Sequence, residues 1–317
     1  MRMTLMGTNT KRVLVMAAAL MGAGCNHSGL ISEQIPSPDQ KHLVDDRYAY
    51  MSCDVGYVKE HFPAWQLEVA NRTYLYALMS SNAYRDEGQY VIPGWTRTHR
   101  YESSSGLGLD EYVRDGSSPR EMVVAFRGTQ FTSLKDWKTN LALIEPWQHR
   151  EAYDHITNLR ESEPDTQLIV TGHSLGGALA LNMSMRFDDL PAFVFNSSPR
   201  AFFAAEGKQN PRVIVWETGE FLNVFRRPWL GIRMRGPDQE RAPMNFIDYN
   251  WFNSLKVIAE HSMYKQSRGL LIAAMAYGNP HAKQTFSLNI PHQEALVADA
   301  ETCGAVFGQA LVPIQMN

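Results

Sequence analysis

The sequence predicts an α/β fold with a mostly parallel central sheet flanked by helices. Three observations carry that prediction. Four short apolar runs, residues 122–126, 168–171, 193–195 and 213–216, are rich in β-branched or aromatic residues. They are continuous rather than alternating, as strands buried on both faces require. Stretches of helical pattern fall between them. The composition, 44% hydrophobic and 20% charged over 317 residues, is that of a globular chain. A chain of about 300 residues buries roughly three quarters of its unfolded surface and needs no staples for its core. A disordered chain, a collagen-like chain and a multi-span membrane protein are excluded. With 30 Lys and Arg against 33 Asp and Glu, a net charge of -3 and no dominant basic block, nucleic acid is not an expected partner.

The N-terminal 25 residues stand apart. Arg2, Lys11 and Arg12 precede an apolar stretch over residues 13–23, with the small residues Gly22, Ala23 and Gly24 directly before Cys25. A basic start, a short apolar run and small residues before a cleavage point describe a secretory signal. The run is too short to cross a hydrocarbon core of about 30 Å as a helix. The residues before Cys25 resemble a bacterial lipobox, although Gly22 stands where an aliphatic residue is usual. The resemblance implies that residues 1–24 are a lipoprotein-type signal peptide and that Cys25 is acylated. The chain would then be exported and anchored at the cell envelope, with plain secretion as the alternative. Asn26, in place of an aspartate, points to the outer membrane, facing the periplasm or the surface. Residues 25–62 read as a tether and N-terminal extension, its 28–46 part rich in Ser, Pro, Asp and Gln. Residues 63–317 read as the folded domain. Cys53 and Cys303 are the remaining cysteines. They either pair, in an oxidising compartment, or stay as two thiols. No C-x-x-C spacing suggests a metal site, and no metal or cofactor is expected.

Along the folded part, Leu75, Leu78 and Met79 share one face of a predicted helix over residues 71–83. The strand 122–126 lies between Pro119 and Gly128. The strand 168–171 runs into Gly172-His173-Ser174-Leu175-Gly176-Gly177, which contains G-x-S-x-G with Ser174 at its centre. Alone, that motif arises by chance in about one chain in ten of this length, taking Gly and Ser near 7% each. Its setting is more telling: a strand before it and the helix-forming Ala178-Leu179-Ala180-Leu181 after it, the strand–turn–helix that a nucleophile elbow requires. A tight turn strains the serine backbone. Gly172 and Gly176 remove side chains where strand and helix would collide. Ser174 is then presented at a helix N-terminus, where N–H groups and the helix dipole favour developing negative charge.

A second signal, Phe126-Arg127-Gly128-Thr129, follows the strand 122–126 directly. With it the sequence resembles the class 3 lipase family of α/β hydrolases, the group of fungal triacylglycerol lipases. The matching pieces are Ala125 through Thr129, Asp136-Trp137 with Asn140-Leu141, Thr171 through Ala178, and Ser198-Pro199-Arg200, in the family's order over roughly residues 70 to 265. The resemblance implies an α/β-hydrolase fold with its elbow at Gly172 to Gly176. It also implies an oxyanion hole built from the backbone N–H of Thr129 and that of Leu175. Two such donors meet the physical need of a tetrahedral oxyanion, each worth about 3 kcal/mol.

A serine hydroxyl is a weak nucleophile without a base. In α/β hydrolases the order is serine, acid, histidine, so the base lies downstream among His261, His281 and His292. His261, in Glu260-His261-Ser262-Met263-Tyr264, looks like the family's histidine shortly followed by a tyrosine, and it precedes an apolar helical stretch over residues 269–277. It is the preferred base. His281 and His292 read as solvated loop residues, and His173 as packing that holds the elbow. The family's acid is an Asp just after a strand, but no Asp directly follows the strand 213–216. Glu220, ahead of Phe221-Leu222, is the preferred acid and Glu217 the alternative; Asp238 and Asp248 lie further off. Glu is chemically adequate, since the acid only holds the imidazole tautomer and stabilises the imidazolium.

Two further segments bear on substrate. Residues 133–147 carry Leu134, Trp137, Leu141, Leu143, Ile144 and Trp147. In the resembled family this region includes a lid over the serine; otherwise these are core contacts of a surface helix. Residues 226–241 hold five arginines interleaved with Trp229, Leu230 and Met234. They form either a solvated loop or a surface for anionic phospholipid headgroups. The expectation is a serine hydrolase of lipid carboxyl esters, lipase, esterase or phospholipase. An acyltransferase or thioesterase with the same triad and a catalytically silent surface-binding lipoprotein are the rivals. Oligomeric state is not legible.

Overall fold

A computed structural model describes residues 62–84, 90–128, 146–198, 210–217, 239–244 and 263–289, together with 55, 59 and 60. The signal and lipidation segments, the 28–46 part of the tether, all three cysteines, and the segments 133–145 and 226–238 lie outside the described residues.

The chain enters through helix α1, Ala64–Asn82, which begins directly after Pro63 and buries Val69, Tyr74, Ala77, Leu78 and Met79. Proline fits that boundary because it lacks the N–H a helix interior would need. Three antiparallel strands follow: β1 Trp95–Glu102, β2 Gly108–Arg114 and β3 Glu121–Phe126. β1 is the sheet edge. It alternates exposed and half-buried residues, carries Arg97, His99 and Arg100, and has a register irregularity between Arg97 and His99. Charges and a bulge both discourage a foreign strand from adding to an open edge. Asp110 on β2 is buried, and Arg100 grips it with two hydrogen bonds of 2.6 and 2.8 Å.

From β3 onward the sheet is parallel. β4 Gln167–His173, β5 Ala192–Phe195, β6 Arg212–Glu217 and β7 Gln239–Met244 are added in sequence order, making a seven-stranded sheet. Helix α2, Pro146–Ser162, connects β3 to β4, and α3, Leu175–Arg186, connects β4 to β5. Strands added in one direction through right-handed crossovers place their connecting helices on a single face. The buried residues follow that rule. Val124 and Phe126 of β3, Val170 of β4 and Ile214 of β6 pack with Ile156 of α2 and Leu179 of α3. The other face must be covered from outside the run. Val123, Ala125, Phe195, Val213 and Val215 pack against α1 and against α4, Met263–Tyr277, near the C-terminus. A last helix, α5, Pro280–Asn289, buries Ala282, Thr285 and Phe286.

The apolar strands therefore lie where the sequence predicts them, and α1 extends seven residues further toward the N-terminus than the predicted 71–83. The edge hairpin β1–β2, the strand β7 and the helix α5 are additions to the elements read from the sequence. The parallel sheet buried on both faces, with a strand–turn–helix at β4–α3, is the α/β-hydrolase arrangement. Every described residue belongs to one compact unit, Val44–Asn317, while Met1–Leu43 holds none. Among the described residues, no helix is long and apolar enough to cross a membrane.

Candidate active site

In open parallel sheets, ligands bind at the carboxyl ends of the strands, and the chemistry-bearing residues collect there. β4 ends at His173, Ser174 caps α3, and α3 starts at Leu175. The sequence placed that helix from Ala178; it starts three residues sooner, leaving no loop between nucleophile and helix. Ser174 has φ +55° and ψ −122°, a left-handed backbone that an L-residue holds only when its surroundings impose it. Three backbone hydrogen bonds do so. Its N–H donates to the Phe195 carbonyl at 3.1 Å, and its carbonyl accepts from Ala178 at 3.1 Å and from Ser198 at 2.9 Å.

Close packing leaves no room for alternatives. A Cβ on Gly172 would overlap the Gly176 carbonyl and lie 2.8 Å from the Gly177 nitrogen; one on Gly176 would overlap the Phe126 carbonyl and lie 2.8 Å from the Arg127 carbonyl carbon. The elbow is thus pressed directly onto the end of β3. Gly128, two residues past β3, closes the arrangement. A Cβ there would overlap the Tyr84 hydroxyl, lie 2.7 Å from the His173 carbonyl oxygen and 3.3 Å from the Ser174 Cβ. The strand expected to supply the oxyanion hole therefore ends against the nucleophile. The side chain of Arg127 lies over Gly108, and its guanidinium pairs with Glu102 of β1.

Leu175 is the first residue of α3, and the first N–H groups of a helix have no acceptor within the helix. Ser174 is buried, with 3% of its surface exposed.

Tyr84, one residue beyond the predicted helix and two beyond α1, was not singled out from the sequence. Its hydroxyl lies 2.7 Å from His173 Nδ1 and donates to the His173 carbonyl at 3.4 Å. The two rings meet edge to face with centroids 5.6 Å apart. Burial pushes its hydroxyl pKa far above the usual tyrosine range; a backbone hydrogen bond from Gly128 and the charge of Arg127 oppose that shift. The hydroxyl is therefore neutral. No periodicity marks Tyr84; the only signal was its place at the end of a helix facing the elbow strand. His173 itself is buried beside the elbow, packed on the Tyr84 ring.

His281 is corrected. It is not a loop residue but lies on α5, with Nδ1 2.7 Å from the Tyr74 hydroxyl and Nε2 3.0 Å from the Pro93 carbonyl. Pro93 precedes β1, whose first residue pairs with Arg114, the last of β2, at the sheet end opposite the elbow. His281 is thus not available to Ser174. His261, His292, Glu220, Thr129, Asp238 and Asp248 lie outside the described residues, and only the backbone of Glu217, the last residue of β6, is described.

Two described elements adjoin these residues in the sequence. β6 runs parallel to β4 through β5, with His173 opposite Phe195 and Phe195 opposite Val215, so its last residue, Glu217, is at the elbow end. α4 begins two residues after His261. Its Tyr264 stacks on Tyr90, whose backbone pairs twice with Asn82 at the C-terminal end of α1. That is the end of α1 from which Tyr84 reaches His173. No group of three or more His, Cys, Asp or Glu among the described residues is arranged to hold a metal ion.

Residues 75–205 match a phospholipase-like family, described as the Tle-like phospholipase domain. That stretch, under half of the chain, contains Tyr84, Gly128 and the whole elbow. Among solved structures, the chain is similar to a triacylglycerol lipase from Penicillium expansum, at 19% identity and a TM-score of 0.38 over 58% of this chain and 78% of that one. It is also similar to lipase II from Rhizopus niveus, at 18% identity and a TM-score of 0.36 over 51% of this chain and 77% of that one. No curated protein matches.

Proposed function

We propose that this chain is a serine hydrolase that cleaves the carboxyl esters of lipids through an acyl-enzyme. The observation that carries the reading is Ser174 itself: a strained serine between strand and helix, pinned by three backbone bonds, with the end of β3 against its Cβ. Purely structural serines have no need of such strain, which accumulates at reacting centres. In this reading His261 takes the Ser174 proton as the oxygen attacks the ester carbonyl. Glu220 holds the imidazole, with Glu217 the alternative. The N–H groups of Thr129 and Leu175 hold the oxyanion. His261 then protonates the departing alcohol, and water releases the acyl group by the same route.

The substrate class proposed first is a phospholipid. The match to a phospholipase-like family over the residues that carry the elbow supports it, as do the arginines between 226 and 241. The near-complete burial of Ser174 fits a site that must open before an ester enters, as expected of an enzyme that meets substrate at a lipid surface. Trp147, 61% exposed at the start of α2, fits the same surface. We also propose that acylation of Cys25 keeps the chain at the envelope membrane.

Labelling with a fluorophosphonate probe tests the chemistry. Wild type should be labelled and Ser174→Ala should not. A panel of phospholipids, triacylglycerols and p-nitrophenyl esters then assigns the substrate. Absence of labelling in wild type, with and without detergent micelles, would remove the hydrolase reading.

A further inference from the structure

We propose that Tyr84 is a positioning residue of this site: its hydroxyl braces the backbone at Gly128 against the elbow and so sets the distance between Gly128 and Ser174. The inference rests on the hydrolase reading and deepens it. A phenolic oxygen has one proton to give and two lone pairs to receive. Here the Gly128 backbone packs directly against it on one side, and His173 Nδ1 at 2.7 Å and the His173 carbonyl engage it on the other. One side chain therefore ties the exit of β3 to the residue immediately before the nucleophile. The space for it exists because residue 128 is glycine, since any Cβ there would overlap the hydroxyl.

The brace is anchored at its own base. Tyr84 N–H donates to the Ser81 carbonyl at 3.2 Å, which fixes the turn leaving α1. α1 in turn is docked on β4. Ser80 Oγ lies 2.9 Å from Thr171 Oγ1, whose own proton goes to the Phe193 carbonyl of β5 at 2.6 Å. Core contacts of this kind have discrete arrangements and transmit small displacements. An oxyanion hole is sensitive to such displacements, because its donors must meet an oxygen that exists only in the transition state.

The structure supplies an internal control. Tyr74 pairs with His281 Nδ1 at the same 2.7 Å, also buried, but at the sheet end away from Ser174. Tyr84→Phe and Tyr74→Phe therefore delete the same hydroxyl from the same kind of pair. The expected result for Tyr84→Phe is a fall in kcat of about ten-fold with KM within about two-fold, the signature of an interaction made only in the transition state. The rate of fluorophosphonate labelling should fall in parallel, and the midpoints of the pH profile should not move. Tyr74→Phe should unfold sooner and keep wild-type kcat per folded molecule. If Tyr84→Phe does not fold, His173→Ala and His173→Asn carry the same test, because the Asn amide can take the place of Nδ1. His173→Ala should lose turnover and His173→Asn should retain it.

Wild-type kcat in Tyr84→Phe, a loss confined to KM, or an equal loss in Tyr74→Phe overturns the inference while leaving the hydrolase intact. A wild-type protein that neither labels nor turns over ester removes both.

Discussion

The Gly176 Cα is held so close to Phe126 that an added methyl group would overlap the Phe126 carbonyl oxygen. That atom and the neighbouring Arg127 carbonyl carbon are backbone, so nothing flexible can yield. Gly176→Ala must push α3 away from the end of β3, moving Ser174 relative to Gly128. Overpacking of a filled interior costs about 1–3 kcal/mol. The variant should unfold at lower urea by that amount and lose most of its esterase activity. Wild-type turnover with an unchanged unfolding midpoint would mean that strand and elbow are not pressed together as described.

The acid is decided by paired variants. β6 ends with Glu217 at the elbow end of the sheet, and Glu220 follows three residues later in the sequence. Replacing the triad acid by its amide leaves the wrong imidazole tautomer and lowers kcat by about 10⁴-fold in serine hydrolases. Glu220→Gln should show a loss of that order and Glu217→Gln a rate near wild type. The reverse pattern transfers the role to Glu217, and two near-normal rates reject both.

The base separates in the same way. His261→Ala should abolish turnover, as removing a triad member does. His281→Ala should leave kcat unchanged and lower the unfolding midpoint, because it strands the buried Tyr74 hydroxyl. A buried polar group left without its partner costs about 1–3 kcal/mol. Loss of turnover in His281→Ala, at a temperature where it is folded, would contradict the placement of α5.

The parallel core was legible because strands buried on both faces have no choice but to be continuously apolar, as in Val123-Val124-Ala125-Phe126. The elbow was legible for a related reason: Gly172 and Gly176 are each excluded from carrying a Cβ by backbone, a demand that only residue type can meet. β1 left no such trace. Its Thr96-Arg97-Thr98-His99-Arg100 reads as a polar loop because an edge strand must be charged to stay solitary. β7 hides its strand behind Pro243, which withholds a ladder donor. Tyr84 was missed because a single aromatic beyond a helix has no period, and its role comes from the chain meeting itself again at Gly128 and His173. His281 was misread because Pro280 before it suggested a loop, whereas proline at a first helical position starts one.

The edge hairpin offers a test of stability away from the site. Asp110, 1% exposed, is held by two hydrogen bonds from Arg100, which also donates to the Asn82 carbonyl at 2.9 Å near the end of α1. Arg100→Ala leaves the buried carboxylate with only the longer 3.5 Å contacts from Arg97 and Tyr112; with that partial compensation the loss should be about 1–3 kcal/mol, below the roughly 3–5 kcal/mol of a fully stranded charge. Unfolding should shift accordingly, and Arg100→Ala with Asp110→Ala together should lose less than Arg100→Ala alone. A double variant less stable than the single one would show that the Asn82 contact, not the ion pair, carries the effect.

Alkaline pH should loosen the fold through its buried tyrosines. Burial raises Tyr74 from about 10 to about 12; burial and then the neighbouring Asp110 raise Tyr112 to about 12. In the unfolded chain both hydroxyls ionise near pH 10. Between about pH 10 and 12 the unfolded state has therefore given up protons that the folded state still holds, so stability falls as pH rises through that window. Below about pH 10 both states keep the phenolic protons and these groups confer no pH dependence. Urea midpoints measured at pH 9, 10 and 11 should be level at first and then drop. Tyr74→Phe should reduce the drop, because one of the linked groups is gone. A midpoint that is flat across the series, or that rises, would show that these hydroxyls titrate in the folded protein as they do in water.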